Sequence, residues 1–456
     1  MIPVVTPEEM KAVDEAAPEP TDVLVHRAGG HVARIAVDML GGVYGRRVVV
    51  VAGKGNNGAD GRDAAARLRR RGVRVELIEA ADAPAQLPDA DLVIDAAYGT
   101  GFHGEYQAPD PGAAPVLAVD IPSGVNGLTG EAADGAVSAD CTVTFAALKP
   151  GLLLGEGRQR TGVVDVVDIG LDVSGARASL VEGSDVAAWL PPRERDSHKW
   201  KSAAWVAAGS PGMTGAAEMC SRSALRAGAG LVRLGVPGLD APPVPLEVIG
   251  RPLPRTGWDH TVLDELDRFK AIVVGPGLGR ADEQGEAVRS LVTRAPTAAV
   301  VDADGLYALE NVELAAEVIG ERTRPTVLTP HEGEFARLSG HKVGPDRLEE
   351  TRRLAAGTKA TVLLKGSTTT VADPDGRVLL SATGDPRLAT AGTGDVLSGV
   401  IGAFLAQGLD GLQAAAAGAW VHGTAAHLGW RRGLVAGDLL DLLPAVLSAL
   451  DSGDAD

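Results

Sequence analysis

Aromatic residues make up only 3% of this 456-residue chain, and cysteine occurs twice. With so few rings, burial falls to Val, Leu, Ile and Ala, which fits parallel sheets under Ala-rich helices better than an aromatic-rich β-sandwich. Cys141 and Cys220 lie far apart, which excludes a CxxC motif. Both sit among apolar or small residues and are expected to be buried, reduced thiols. No apolar run approaches the length of a membrane span. The opening MIPVVTPEEMKAVDE turns acidic at once and has no positive n-region, so a cytoplasmic protein is expected. Basic residues are in deficit, and the formal charge of −17 argues against general binding to nucleic acid or membranes. An anionic ligand is still possible, held by helix N-termini and a few placed lysines.

What is present points to two globular α/β domains. Hydrophobic residues account for 45% and charged residues for 23%, and the length exceeds one ordinary core. Val- and Ile-rich runs alternate with Ala-rich amphipathic stretches, the pattern of βα units. Strands are expected at 48–52, 73–78, 92–95, 116–120, 142–145 and 163–169, with a helix from Gly61 to Arg71 ended by Gly72. The polar segment LPPRERDSHKWK at 190–201 reads as a boundary, giving domains 1–190 and 191–456. A second series of strands follows at 203–207, 231–236, 271–274, 298–301 and 326–328. After it comes a hairpin turning at Asp375-Gly376, then two Ala-rich helices starting near Gly394 and Gly411. The last residues, DSGDAD, read as a frayed acidic tail.

In the first domain, VVVVAGKGNNGADGRDAAARL sets a glycine-rich loop between a strand and a helix, where N–H groups can converge on phosphate. By itself that is also a common tight turn. Asn56, Asn57 and Asp60 sharpen it, because amide oxygens can ligate a cation and an aspartate in a phosphate loop is otherwise repulsive. Asp95 in LVIDAAYGTG and Asp120 in LAVDIPSG end later strands, where ligands of open parallel sheets sit. Each could equally cap a turn. Together, GNNGADG, DAAYGTG, DIPSG and FAALKPG resemble the NAD(P)H-hydrate epimerase family over roughly the first two-fifths of the chain.

That resemblance implies a Rossmann-like α/β/α domain. It implies that Asn56, Asn57, Gly58, Ala59 and Asp60 hold the hydrated cofactor, with Gly99, Thr100, Gly101, Phe102, His103, Gly104 and Glu105 as a second substrate loop. Asn57, Asp95 and Ser123 would hold a potassium ion, and Asp120 would contact substrate near the reacting ring. Relatives carry a second glycine where this chain has Ala59; a left-handed backbone there would cost alanine about 1–2 kcal/mol, and negative φ would cost it nothing. Hydration places a hydroxyl on C6 beside the ring nitrogen. Reversible loss of that oxygen scrambles the stereocentre, and one carboxyl group, Asp120, could serve as the catalytic proton donor or acceptor.

The second domain carries the stronger motif, LATAGTGDVLSGVIGAFLAQG. Gly392, Thr393 and Gly394 open a helix with free N–H groups, and Asp395 stands in its first turn, a pairing suited to phosphoryl transfer. An aspartate there is also a frequent capping residue. With AAGSPGMTGAAEMCSRSALRAGAGLV, VVGPGLG, LTPHEGEFARL and LLKGSTTTV, the half resembles ribokinase-like kinases, and among them the ADP-dependent NAD(P)H-hydrate dehydratases. The upstream DSHKW is similar to their entry motif, with Trp200 where relatives have glycine.

The resemblance implies a ribokinase-like α/β/α domain in which Ala216, Gly277 and His331 contact the hydrated cofactor. Lys365, Gly366, Ser367, Thr368, Thr369 and Gly394 would bind ADP or ATP with magnesium, and Asp395 would be the catalytic base and a substrate contact. Phosphate is a better leaving group than hydroxide, so phosphorylating the C6 hydroxyl lets the ring nitrogen expel it. The family implies an isomerase and lyase fused for repair of hydrated NADH and NADPH, expected as a homo-oligomer. A small-molecule kinase with an N-terminal binding domain, or a sensor that has lost turnover, are the competing readings.

Overall fold

The computed structural model describes residues 1–452; the expected acidic tail at 453–456 lies outside them, and Asp451 and Ser452 end the last helix. Contacts cluster into two compact units, 2–178 and 179–456. The segment 190–201, expected as the boundary, therefore belongs to the second unit, where Val181 and Val186 already join the core.

The first unit is built on six parallel strands: β1 (Arg47–Ala52), β2 (Arg74–Glu79), β3 (Leu92–Ala96), β4 (Val116–Val119), β5 (Cys141–Phe145) and β6 (Val163–Val167). Their spatial order is β2-β1-β3-β4-β5-β6. Alternation puts Val48, Val50, Ile94 and Val143 in one core with α1 (Pro7–Glu15), α2 (Thr21–Leu40) and α3 (Asn56–Arg70). The opposite face packs Val49, Val51 and Val93 against connecting segments through Leu87, Tyr106 and Val137. Helix α3 starts five residues before the expected Gly61, so the asparagines lie in its first turn rather than in a loop.

The second unit continues with β7 (Ala203–Ala207), β8 (Leu231–Pro237), β9 (Ile249–Leu253), β10 (Ala271–Val274), β11 (Ala298–Val301), β12 (Thr326–Leu328), β13 (Thr361–Leu364), β14 (Thr369–Ala372) and β15 (Val378–Ser381). The order is β15-β14-β13-β12-β11-β10-β7-β8-β9, parallel except at β14. The expected hairpin is in fact three antiparallel strands, reversing at Lys365–Thr368 as well as at 373–377. One face packs on α4 (Thr214–Arg226), α6 (Thr393–Gln407), α7 (Gly411–Leu428) and α8 (Ala436–Ser452); α5 (Glu332–Ser339) follows β12 in the chain. Two closing helices were expected; α8 adds a third. Cys220 is buried as expected, whereas Cys141 at the start of β5 is only half-buried.

Candidate active sites

In the first unit, β1 and β3 are adjacent but their connections leave in opposite directions, which opens a crevice at their carboxyl ends. A cavity of about 470 Å3 occupies it, lined among others by Asn56, Asn57, Asp60, Tyr98, Asp120 and Lys149. Gly99, Thr100, Gly101 and Phe102 also line it; His103, Gly104 and Glu105, expected in the same loop, are solvent-exposed and do not. Gly58 is buried behind the helix start, where a β-carbon would stand 1.9 Å from the Gly53 carbonyl oxygen. Its glycine is thus a requirement of helix–loop packing, not of ligand contact.

Two polar clusters stand at the cavity: Asn57 and Tyr98 of the first line it, with Asp95 and Ser123 buried behind them and not part of its lining. Asp95 is fully buried at the end of β3 and accepts hydrogen bonds from Ser123 N (2.8 Å) and Ser123 Oγ (2.7 Å). Burial pushes its carboxyl up to about 6 against those bonds. Asn57 donates Nδ2 to the Tyr98 carbonyl (2.9 Å), which also accepts from Ser123 Oγ (3.2 Å), while its buried Oδ1 has no partner. An orphaned amide oxygen beside a hydroxyl, a carbonyl and a carboxylate is a donor set suited to a monovalent cation. The second cluster centres on Asp120, held in the left-handed region at φ 67°. It accepts from Lys149 Nζ at 2.6 Å and Thr144 Oγ1 at 3.2 Å. Lys149 is 1% exposed and gives its remaining protons to Thr144 Oγ1 and the Phe145 carbonyl.

The second unit repeats the plan, with its crevice between β7 and β10. The loops beyond them are tied by Gly209 N to the Pro276 carbonyl (2.7 Å) and Ser210 Oγ to the Gly277 carbonyl (2.9 Å). Gly277, at φ 66°, faces Ala216, whose β-carbon would be 3.1 Å from one built on Gly277. The crevice continues to α6, whose N-cap Gly392 is left-handed and which no side chain caps. Asp395 follows in the first turn. Burial and the nearby Asp302 and Asp304 push it to about 6, against Lys365. Lys365 donates Nζ to Asp302 Oδ1 at 2.7 Å, and Ser398 Oγ donates to Oδ2 at 2.7 Å. A β-carbon on Gly394 would lie 3.5 Å from Lys365 Nζ, so the ammonium stands over the helix terminus. Arg347 braces that turn, donating to the Lys365 carbonyl at 2.6 Å and to Glu332 at 2.7 Å. His331 caps α5: its Nδ1 accepts from Gly333 N (3.0 Å) and Glu334 N (3.1 Å), and Glu334 returns a bond to its backbone. The capping bonds make Nε2 the nitrogen that carries the proton, and it lies 3.6 Å from Glu334 Oε1.

Two families match in register with the two units. One described as NAD(P)H-hydrate dehydratase covers residues 204–445, and one described as YjeF-related protein N-terminus covers 21–90 and 76–151. The bifunctional NAD(P)H-hydrate repair enzyme Nnr of Moorella thermoacetica is 36% identical, over 98% of this chain and 97% of that protein. That of Mycobacterium tuberculosis is 40% identical over 87% of each. The chain belongs to the bifunctional NAD(P)H-hydrate repair enzyme family. A Bacillus subtilis ADP/ATP-dependent NAD(P)H-hydrate dehydratase, crystallised with ATP and Mg2+, matches with a TM-score of 0.50 and 31% identity. It covers 59% of this chain and 97% of its own.

Both departures from the motifs of the repair enzyme family have structural accounts. Ala59 lies inside α3 with ordinary helical φ, so its methyl group costs nothing. Ala59→Gly is expected to leave activity within twofold and to lower stability by about 1 kcal/mol, the helix-propensity difference, read by chemical denaturation. Trp200 sits just before β7, at the end of the sheet away from the crevice, where Arg268 stacks over its ring at 3.9 Å and Phe269 meets its edge.

The sequence reading passed over Lys149, Asp302, Ser398, Arg347 and His422. Asp302 ends a strand as Asp95 and Asp120 do, so the rule that found them would have found it. His422 had no such signal: it lies buried in α7, and burial holds its imidazole down to about 4, hence neutral, behind the start of α6.

Proposed function

We propose that this chain repairs hydrated NADH and NADPH. Residues 2–178 interconvert the R and S hydrates, and residues 179–456 dehydrate the S form with ADP or ATP. The observation that carries the reading is the uncapped start of α6, with Asp395 in its first turn and Lys365 Nζ over Gly394. That arrangement suits transfer of a phosphoryl group. Gly394 N–H and Lys365 receive the phosphate oxygens; magnesium, brought with the nucleotide, would supply further charge neutralisation there. Asp395 takes the proton of the C6 hydroxyl as its oxygen attacks phosphorus. The N1 lone pair then expels phosphate from C6, the proton added at C5 on hydration is released to solvent, and its bonding pair restores the C5–C6 double bond of the dihydropyridine. Ala216, Gly277 and the exposed edge of His331 bound the hydrated nicotinamide, while Gly366–Thr369 follow the nucleotide.

In the first unit the hydrated cofactor enters the 470 Å3 cavity along Asn56, Asp60 and Gly99–Phe102. Asn57 Oδ1, Asp95 and Ser123 would hold potassium, which would supply fixed positive charge to the first unit's site. Asp120 faces the reacting ring as a carboxylate. The chain acts in the cytoplasm as a homo-oligomer. No described helix is long and apolar enough to cross a membrane.

Free phosphate in a one-to-one ratio with recovered NADH, and no lasting phosphorylated organic product, is the expected outcome when the protein meets S-hydrated NADH and ATP. Accumulation of a phosphorylated alcohol would place the second unit with the small-molecule kinases.

A further inference from the structure

We propose that Asp60 is the proton donor of epimerisation, in a cavity where Lys149 serves only Asp120. This rests on the reading of the first unit as an epimerase and names the residue that completes it.

The two carboxyl groups line one cavity yet have opposite surroundings. Asp120 has a buried ammonium at 2.6 Å and a hydroxyl at 3.2 Å, so its negative charge is paired and hydrogen-bonded. Asp60, on the first turns of α3 and 7% exposed, has no cation and no hydrogen-bond donor among the described residues. The charged groups near it are Asp14 on α1, Asp63 on its own helix, Asp120 and Lys149 across the cavity, and the exposed Lys54 at the mouth. Asp63 is already engaged by His26 and Arg67. All three protons of Lys149 are spent on Asp120, Thr144 and Phe145. Burial, then Asp120, Asp63 and Asp14, push the Asp60 carboxyl to about 8. A carboxylic acid beside a carboxylate divides the work between donor and cation-stabiliser.

The step balances without another reactant. The Asp60 proton passes to the C6 hydroxyl oxygen, and the C6–O bond breaks with its electron pair leaving on water. The N1 lone pair becomes the C6–N1 π bond, and the Asp120 carboxylate faces the resulting cation. Water adds to the other face of C6, the π pair returns to N1, and the surplus proton returns to Asp60.

The test is interconversion of R- and S-hydrated NADH by the full chain without nucleotide, between pH 6 and 9, in wild type, Asp60→Asn and Asp60→Glu. The wild-type rate is expected to exceed the spontaneous rate and to fall above about pH 8, where the acid is lost. Asp60→Asn is expected to lose about 10^2–10^4-fold and its pH limb, and Asp60→Glu to recover part of both. Thermal midpoints and dehydration of the pure S epimer report that the variants are folded. An active wild type with Asp60→Asn within threefold of it would overturn the proposal and leave the epimerase reading standing. A misfolded Asp60→Asn passes the decision to the wild-type limb and Asp60→Glu: a wild-type rate that stays flat above pH 8, or a folded Glu variant that recovers neither rate nor limb, overturns it. A wild type no faster than the spontaneous reaction would sink the reading itself.

Discussion

Replacing Asp395 with alanine is expected to lower nucleotide-dependent dehydration by roughly 10^2–10^4-fold, the contribution of a positioned general base. R-to-S interconversion should continue at the wild-type rate, because the two catalytic sites lie in different compact units. The carboxylate is prepared for this work by its neighbours: burial, Asp302 and Asp304 raise it to about 6, and Lys365 keeps it from going higher. A base must be ionised to accept a proton, so the wild-type rate should fall as pH drops through about 6 and level off above it. In Asp395→Ala that acidic limb should vanish with the rate, while nucleotide affinity, set by Lys365 and the helix N–H groups, changes little. Rates on pure S hydrate across pH, with nucleotide binding measured separately, check both statements. An alanine variant within threefold of wild type would remove Asp395 from the chemistry.

Lys149→Met should be the most damaging single change in the first unit. The ammonium is 1% exposed and its partner Asp120 is partly exposed at the cavity wall, so methionine leaves a carboxylate without its cation in a site built for an ion pair. Losing one member of a fully buried pair costs about 3–5 kcal/mol, and the exposure of Asp120 to the cavity places this loss at or below the lower end of that range. Epimerisation should fall with stability, since Asp120 would lose the ammonium that holds it in place at the cavity wall. The double variant Lys149→Met with Asp120→Leu separates the causes: it should recover much of the stability, because neither charge is left buried, and none of the activity. Denaturation midpoints of the single and double variants decide this. A single variant as stable as wild type would mean the pair is solvated and structurally idle.

Most strands could be read directly, because the central strands of both sheets are parallel and buried on both faces, and such strands advertise themselves as short Val/Ile runs. Those at 203–207, 271–274, 298–301 and 326–328 match the expected bounds. The misses share a cause in tertiary packing. Helix α2 contains Gly29, Gly30 and two histidines, a poor helical pattern. Yet Gly29 is where α3 approaches closely, a β-carbon there falling 2.5 Å from Asp63 Oδ2. Strand β9 carries Pro252, tolerable because β9 is the sheet edge.

At the sites, strand-end aspartates and the helix-start motif were legible because chemistry and local geometry coincide there. Lys149 was not, since its meaning depends on β5 returning beside β4 to set it against Asp120, 29 residues earlier in the chain. The outer half of the 99–105 loop turned away from the cavity because the ring contacts of Tyr98, Phe102 and Tyr106 anchor the loop around them, leaving His103–Glu105 at its exposed tip.

The most direct test of the account is recovery of NADH absorbance from a mixture of R and S hydrates with the full chain, magnesium, potassium and ADP or ATP. Complete recovery, faster than the two hydrates interconvert unaided, is the predicted result and requires both units to work. Recovery that stops at the S fraction would contradict the role given to the first unit, and no recovery with either nucleotide would contradict the account as a whole.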